Sequence, residues 1–255
     1  MLRAGPHSAG RSGPQGEATL TMATAVGAAQ VTPRAEAPFA LVIESLKFRY
    51  GADGPWIIDI GELRLRPGEQ VLLTGGSGRG KSTLLQLIAG LLEPTSGSVR
   101  VEGQAMHGLR GAARDLFRGR HIGMIFQTFN LLHGFSALEN VMAALMFSSI
   151  PRGEHRRRAA DLLHHLGIER VDADPDRLSV GQQQRVAVAR AVACDPVLVL
   201  ADEPTASLDP ENSATAMELI QQIAREKNAA LLCTSHDPAM SDRFERRVTL
   251  EELRA

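Results

Sequence analysis

Short apolar runs at 40–48 and 57–65 flank a Gly/Asp/Pro-rich stretch at 51–55 and read as two antiparallel strands. Beyond them apolar segments alternate between two periods. Val71–Thr74 is a buried strand, Lys81–Leu92 carries apolar residues at helical spacing up to a stop at Pro94, and "SGSVRVEG" is a short strand. "IGMIFQ" at 122–127 is another buried strand. Residues 128–178 are mainly helical, with "ALENVMAALMF" and "EHRRRAADLLHHLGI" apolar on one face. "VGQQQRVAVARAVA" predicts a helix, "VLVLADEP" a fully buried parallel strand, "ATAMELIQQIAREKN" a helix and "AALLCTSHD" a final strand. Strands alternating with helices imply an α/β fold with a mostly parallel sheet covered on both faces. The first strands form an antiparallel β-subdomain, and the helical block at about 128–178 interrupts the alternation as an inserted helical subdomain.

Residues 1–38 break this pattern. They are rich in Gly, Ala, Pro and Ser and poor in large apolar side chains, so the expectation is a disordered extension ahead of one domain at 39–255. Thr19–Ala29 is only weakly apolar, unlike a secretory signal, and Met22 is a second candidate start.

Between the strand at 71–74 and its helix stands "TGGSGRGKST". Glycine at this density weakens strand and helix alike, and is tolerable where the backbone itself wraps a ligand. Gly75-x-x-x-x-Gly80-Lys81-Ser82 fits the phosphate-binding P-loop. Backbone N–H groups of Gly75, Gly76, Ser77, Gly78, Arg79 and Gly80 would cradle phosphate oxygens, with Thr83 in the first helical turn. Lys81 would reach the β- and γ-phosphates, and the Ser82 hydroxyl would ligate Mg²⁺. Asp202 and Glu203 end a buried strand, the edge where ligands bind in open α/β sheets. Asp202 would hold the Mg²⁺ shell and Glu203 would polarise a water. Ser179 precedes a glycine and a helix, so it supplies an N-cap, and the N–H groups near Gly181 form a second anion site. One P-loop already serves the nucleotide, so this second site makes sense facing the γ-phosphate held by another subunit.

In this order of motifs residues 40–250 resemble the ABC transporter ATPases, with matches at Tyr50, Gly75–Ser82, Gln127, Leu178–Gln182, Asp202–Glu203, Ser207–Asp209 and His236. The resemblance implies a P-loop NTPase (RecA-like) fold that binds ATP with Mg²⁺, hydrolyses it, and dimerises around two ATP. Tyr50 would stack on adenine, Gln127 would link the Mg²⁺ site to the transporter contact, and Asp209 would lie in the loop crossing the dimer interface. Ser179, Gly181 and Gln182 would face the partner's ATP, and His236 would hold the γ-phosphate and attacking water. The signature reads Leu-Ser-Val-Gly-Gln, with Val180 where the family usually has glycine, which matters if that position needs a positive φ. "FQTFNLLHGFSALENVM" and "DRLSVGQQQRVAVARAV" look closest to the lipoprotein-releasing, macrolide-export and cell-division group. Gln182 departs from the glutamate common in lipoprotein-releasing members, and Ala206-Ser207 from their usual Gly-Asn.

Composition narrows the partners. Net charge is −1, which gives no global field for nucleic acid. No run of 18 apolar residues exists, so the expectation is a homodimer, or a pair with a similar ATPase subunit, bound through separate transmembrane permease subunits at the cytoplasmic face of the membrane. A soluble ABC ATPase of DNA repair or translation is the alternative, yet those carry coiled-coil insertions or tandem cassettes, and sustained heptads are absent here. A GTPase-like switch does not account for Asp202-Glu203 or the signature. Cys194 and Cys233 lack ligand spacing and read as buried, reduced thiols. Leu131, Leu132 and Phe135 are too apolar for an ordinary loop and either line a groove for a permease helix or join the local core. Arginines in "PRGEHRRRAA" face either anionic lipid or solvent.

Overall fold

The computed structural model describes residues 39–76 and 78–254; the extension at 1–38, Met22 and Ser77 lie outside the described residues. In chain order the strands and helices are β1 (Leu41–Phe48), β2 (Ile58–Leu65), β3 (Gln70–Thr74), α1 (Lys81–Ile88), β4 (Ser96–Val101), β5 (Gln104–Ala105), α2 (Ala112–His121), β6 (Ile122–Ile125), α3 (Ala137–Leu145), α4 (His155–His165), α5 (Val180–Val192), β7 (Leu198–Asp202), α6 (Pro210–Glu226), β8 (Ala230–Ser235) and β9 (Arg246–Thr249).

They build two sheets. One is antiparallel, in the order β2-β1-β4-β5, and the other runs β6-β7-β8-β3-β9 with every neighbouring pair parallel. Because successive side chains of a strand face opposite ways, the parallel sheet is buried on both faces. Leu72, Ile125, Val199, Leu231 and Cys233 join α3, α4, α5 and α6 in one apolar cluster. Their neighbours Val71, Leu73, Leu198, Leu200 and Leu232 pack instead with α1 and the antiparallel sheet. The core is therefore two layers of apolar side chains separated by one sheet.

Three elements differ from the sequence pattern. α1 stops at Ile88 rather than Leu92, because Gly90 takes φ +67° and the Leu91 N–H turns back to Gln86 O, closing the helix before Pro94 acts. The strand at 230–235 is not the last: β9 pairs with β3 at the sheet edge, where its Arg-Arg sequence is tolerated because only one flank is paired. α2 forms although none of its residues is fully buried; its hold on the core is Phe117, which packs against the cluster shared by α1 and the antiparallel sheet.

The antiparallel sheet reaches Tyr50 through β1, and β1 carries a bulge. Its register against β4 shifts between Glu44 and Lys47, with Ser45 at φ 49°. Gly97 of β4 lies so close to this bulge that a Cβ there would stand 2.2 Å from Ser45 O, at φ +87°. Gly97→Ala is therefore expected to destabilise the fold by about 3 kcal/mol or more, read as a lower urea midpoint; an unchanged midpoint would contradict this packing.

Candidate functional site

Four parallel strands, in the order β6-β7-β8-β3, deliver their carboxyl ends to one edge of the sheet. Gln127 follows β6, Asp202 ends β7 with Glu203 just after it, Ser235 ends β8 with His236 just after it, and the glycine loop follows β3. Chain segments far apart in sequence meet there for that reason alone.

The glycine loop uses backbone conformations open mainly to glycine: φ is 143° at Gly75, 76° at Gly78 and 97° at Gly80. At Gly80 space is also short, since an added Cβ would lie 3.1 Å from Ile57 O. No side chain caps α1, so the N–H groups of its first turn remain for an anion. Lys81 is buried, and its ammonium is fully engaged. It donates to Gly75 O at 2.8 Å and Gly76 O at 3.1 Å, and lies 3.4 Å from a Glu203 carboxylate oxygen. The other Glu203 oxygen meets His236 Nδ1. The Ser82 hydroxyl donates to Asp202 Oδ1 at 3.0 Å.

Thr234, fully buried on β8, ties the acids together. Its hydroxyl donates to Asp202 Oδ1 at 2.8 Å and accepts from the Glu203 N–H at 3.0 Å. Glu203 itself sits at φ 45°, a left-handed conformation costing about 1 kcal/mol that persists only where surroundings over-determine it. The bond from its own N–H to the Thr234 hydroxyl and the bond from the Ala206 N–H to its carbonyl supply that determination. Sequence reading singled out His236 of "TSHD" and passed over Thr234. The signal was the hydroxyl pair Thr234-Ser235 at the end of an apolar strand beside an acid-ended one.

Lys81, Ser82, Asp202, Glu203 and His236 thus form one hydrogen-bonded group, and the remaining candidates stand outside it. Tyr50 is 59 % exposed, edge-to-face on Phe48 with centroids 4.8 Å apart. The Gln127 side chain is exposed, while its backbone O accepts from the Ser207 hydroxyl at 3.2 Å. Thr83 continues the first turn of α1, and the Arg79 guanidinium is drawn to Glu251 of the C-terminal turn. Asp209 caps α6, and hydrogen bonds from Asn212 hold its carboxyl below the usual carboxylate range.

The signature begins a helix as its sequence indicated. Ser179 and Gln182 form a capping box: the Ser179 side chain accepts from the Gln182 N–H at 3.3 Å, and the Gln182 side chain accepts from the Ser179 N–H at 2.9 Å. Val180 is the first helical residue and does not adopt positive φ, so no glycine is needed there. Its side chain is half exposed, and a Cβ on Gly181 would meet only open space. Both cysteines are free; Cys194 follows α5, and Cys233 is buried on β8 beside Thr234. Burial pushes the Cys194 thiol up to about 11 and raises that of Cys233 further, which removes thiolate chemistry near neutral pH.

Comparison with known proteins agrees with this geometry. The family model described as ABC transporter matches residues 59–206. The Lipoprotein-releasing system ATP-binding protein LolD of Chromohalobacter salexigens is 40 % identical over 208 residues, 81 % of this chain and 88 % of that protein. The protein of the same name from Nitrobacter hamburgensis is 45 % identical over 197 residues, 76 % of this chain and 84 % of its own. Among solved structures, a dimeric ATP-binding cassette in a post-hydrolysis state bound to ADP and Pi superposes with a TM-score of 0.73 at 32 % identity, covering 84 % of this chain and 96 % of that one. A glycine-rich loop and two acids on one sheet edge, within a sequence this similar to such cassettes, place the chain in the ABC transporter family as an ATP-binding, ATP-hydrolysing subunit.

Proposed function

We propose that this subunit drives a separate membrane permease, pairing with a second copy or a similar ATPase around two ATP at the cytoplasmic face of the membrane. The cargo class is a lipoprotein or a related lipid or peptide-like substrate that is extracted or exported. The observation that carries the reading is the convergence of Lys81, Asp202, Glu203 and His236 beside the glycine loop. Similarity to LolD proteins supports the cargo class.

Each residue has a defined task in phosphoryl transfer to water. Gly75, Gly76, Ser77, Gly78, Arg79 and Gly80 present backbone N–H groups to the β- and γ-phosphates, and Lys81 supplies the fixed positive charge. Glu203 takes the proton from the attacking water, and His236, in contact with the same carboxylate, orients it and the γ-phosphate. Tyr50 stacks on adenine. Ser179 and the N–H groups near Gly181 and Gln182 close the site from the partner's side, with Asp209 at the interface. Ser82, Asp202 and Gln127 would hold Mg²⁺, which would neutralise charge on the transferring phosphate. The donors fit that ion: they are hydroxyl, carboxylate and amide oxygens, and the Ser82 hydroxyl already lies 3.0 Å from Asp202 Oδ1. Mg²⁺ takes few protein ligands and completes its shell with phosphate and water.

A docking surface follows the Gln127 loop. Leu132 and Phe135 are 42 % and 48 % exposed, while Leu131 is partly buried against the core. The backbone beneath them is fixed: buried Asn140 accepts from the Leu132 N–H at 2.7 Å and donates to the carbonyls of Leu132, Phe135 and Ser136. Exposed apolar side chains on a rigid loop suit a short permease helix. No helix among the described residues is long and apolar enough to cross a membrane. Arg156, Arg157 and Arg158 each face a carboxylate, which favours a solvated helix face over lipid contact.

Glu203→Gln keeps the shape and an acceptor for Lys81 but cannot take a proton, so turnover should fall about 10²–10⁴-fold. ATP affinity should stay within about threefold, because the lost interaction belongs to the transition state. Steady-state ATPase and equilibrium nucleotide binding check both, and near-parental turnover would transfer the role to His236. Leu132→Asp should leave ATPase activity and thermal stability of the isolated subunit intact while abolishing cargo movement in vesicles holding the permease. Unfolding of the isolated subunit would assign Leu132 to the core instead.

A further inference from the structure

The loop leaving Gln127 is bent by two consecutive non-glycine residues in the left-handed region, Phe129 at φ 57° and Asn130 at φ 48°. Side-chain-bearing residues hold such a conformation only where their surroundings fix it. Within the loop, the Asn130 N–H donates to Thr128 O, and the Thr128 hydroxyl donates to Asn130 Oδ1 at 2.9 Å. The holding group from outside is Arg190, in the last turn of α5. Its guanidinium donates to Phe129 O at 2.6 Å and to Asn130 O at 2.5 Å, one nitrogen to each carbonyl.

This contact has an unusual cost. Arg190 lies mostly out of solvent, burial lowers its pKa, and no carboxylate pairs with it among the described residues. A neutral donor would tie a helix to a loop without desolvating a cation. What arginine adds is a rigid planar fork that grips two neighbouring carbonyls at once. The same helix is capped by Ser179 at its other end. Ser179 and Arg190 are eleven residues apart on one rod, about 16 Å along its axis. On its other side the Gln127 carbonyl is held by Ser207, which stands two residues before Asp209.

We propose that Arg190 is a positioning residue for hydrolysis: it locks the Gln127 loop to the helix that carries Ser179, so that seating Ser179 on the partner's nucleotide sets the position of Gln127. The inference rests on the reading of Gln127 given above. It makes the two ends of α5 parts of one device, with the N-terminus sensing the opposite nucleotide and the C-terminal turn presenting Gln127 to its own.

A double-variant cycle in the full-length chain separates this from a purely structural tie. Arg190→Gln, Gln127→Ala and the combined variant are compared for ATP turnover, the KM for ATP and thermal unfolding. Arg190→Gln is expected to lower kcat roughly tenfold to a hundredfold, as misplacement of a reacting group does. Its KM should stay within about twofold of the parent. In the Gln127→Ala background the same change should cost less than about twofold, because the group it positions is gone. If Arg190→Gln does not fold, Arg190→Lys takes its place in the cycle, since it keeps the charge and a single donor in place of the fork. Losses that multiply independently in the combined variant, or parental turnover in Arg190→Gln, would overturn the proposal. Parental turnover in Gln127→Ala would instead remove Gln127 from the reaction, and this role of Arg190 with it.

Discussion

Parallel pairing of β6, β7, β8 and β3 is the constraint on which the rest depends. It brings Gln127, the Asp202-Glu203 pair, His236 and the glycine loop to one edge, although they are spread over more than a hundred residues of sequence. Pairs such as Leu73 with Thr234, and Asp202 with the same Thr234, fix the register. A slip of one residue would turn Leu72 and Leu231 away from the helices and Leu73 and Leu232 away from the antiparallel sheet. The apolar alternation that stabilises the sheet is therefore also what aligns the chemistry.

That edge concentrates charge in a poorly hydrated place. An unpaired buried ammonium would cost several kcal/mol. Lys81 avoids this because its three N–H donors find two loop carbonyls and a carboxylate. The Glu203 carboxylate is in turn divided between Lys81 and His236, and Thr234 secures both acids from behind. Such a network is stable when complete and costly when one member is missing, which gives it a defined geometry.

Much of this was legible in the sequence because it rests on local rules. Glycine spacing, the serine before α5 and the uninterrupted apolar runs of β7 and β8 each encode their own conformation. What was not legible depends on distant partners. α2 buries no residue fully and only its Phe117 packs against the core, and β9 is a charged edge strand that exists because β3 has a free flank. Thr234 and Arg190 look like an ordinary strand hydroxyl and an ordinary helical arginine. Their meaning comes from the Asp202 oxygen and the Phe129 and Asn130 carbonyls they meet in the fold. α1 ends short of Leu92 because a left-handed glycine acts before the proline does.

The central claim is that each ATP is held by the glycine loop of one chain and the Ser179 helix end of another. Mixing two inactive variants tests it most directly. Lys81→Ala lacks the loop's charge but keeps Ser179, while Ser179→Arg blocks the helix end but keeps Lys81. A mixed dimer then contains one complete site, built from the intact half of each chain. The account predicts that neither variant alone hydrolyses ATP and that the mixture does. A mixture as inactive as its components, with mixed dimers shown to form, would contradict a shared site.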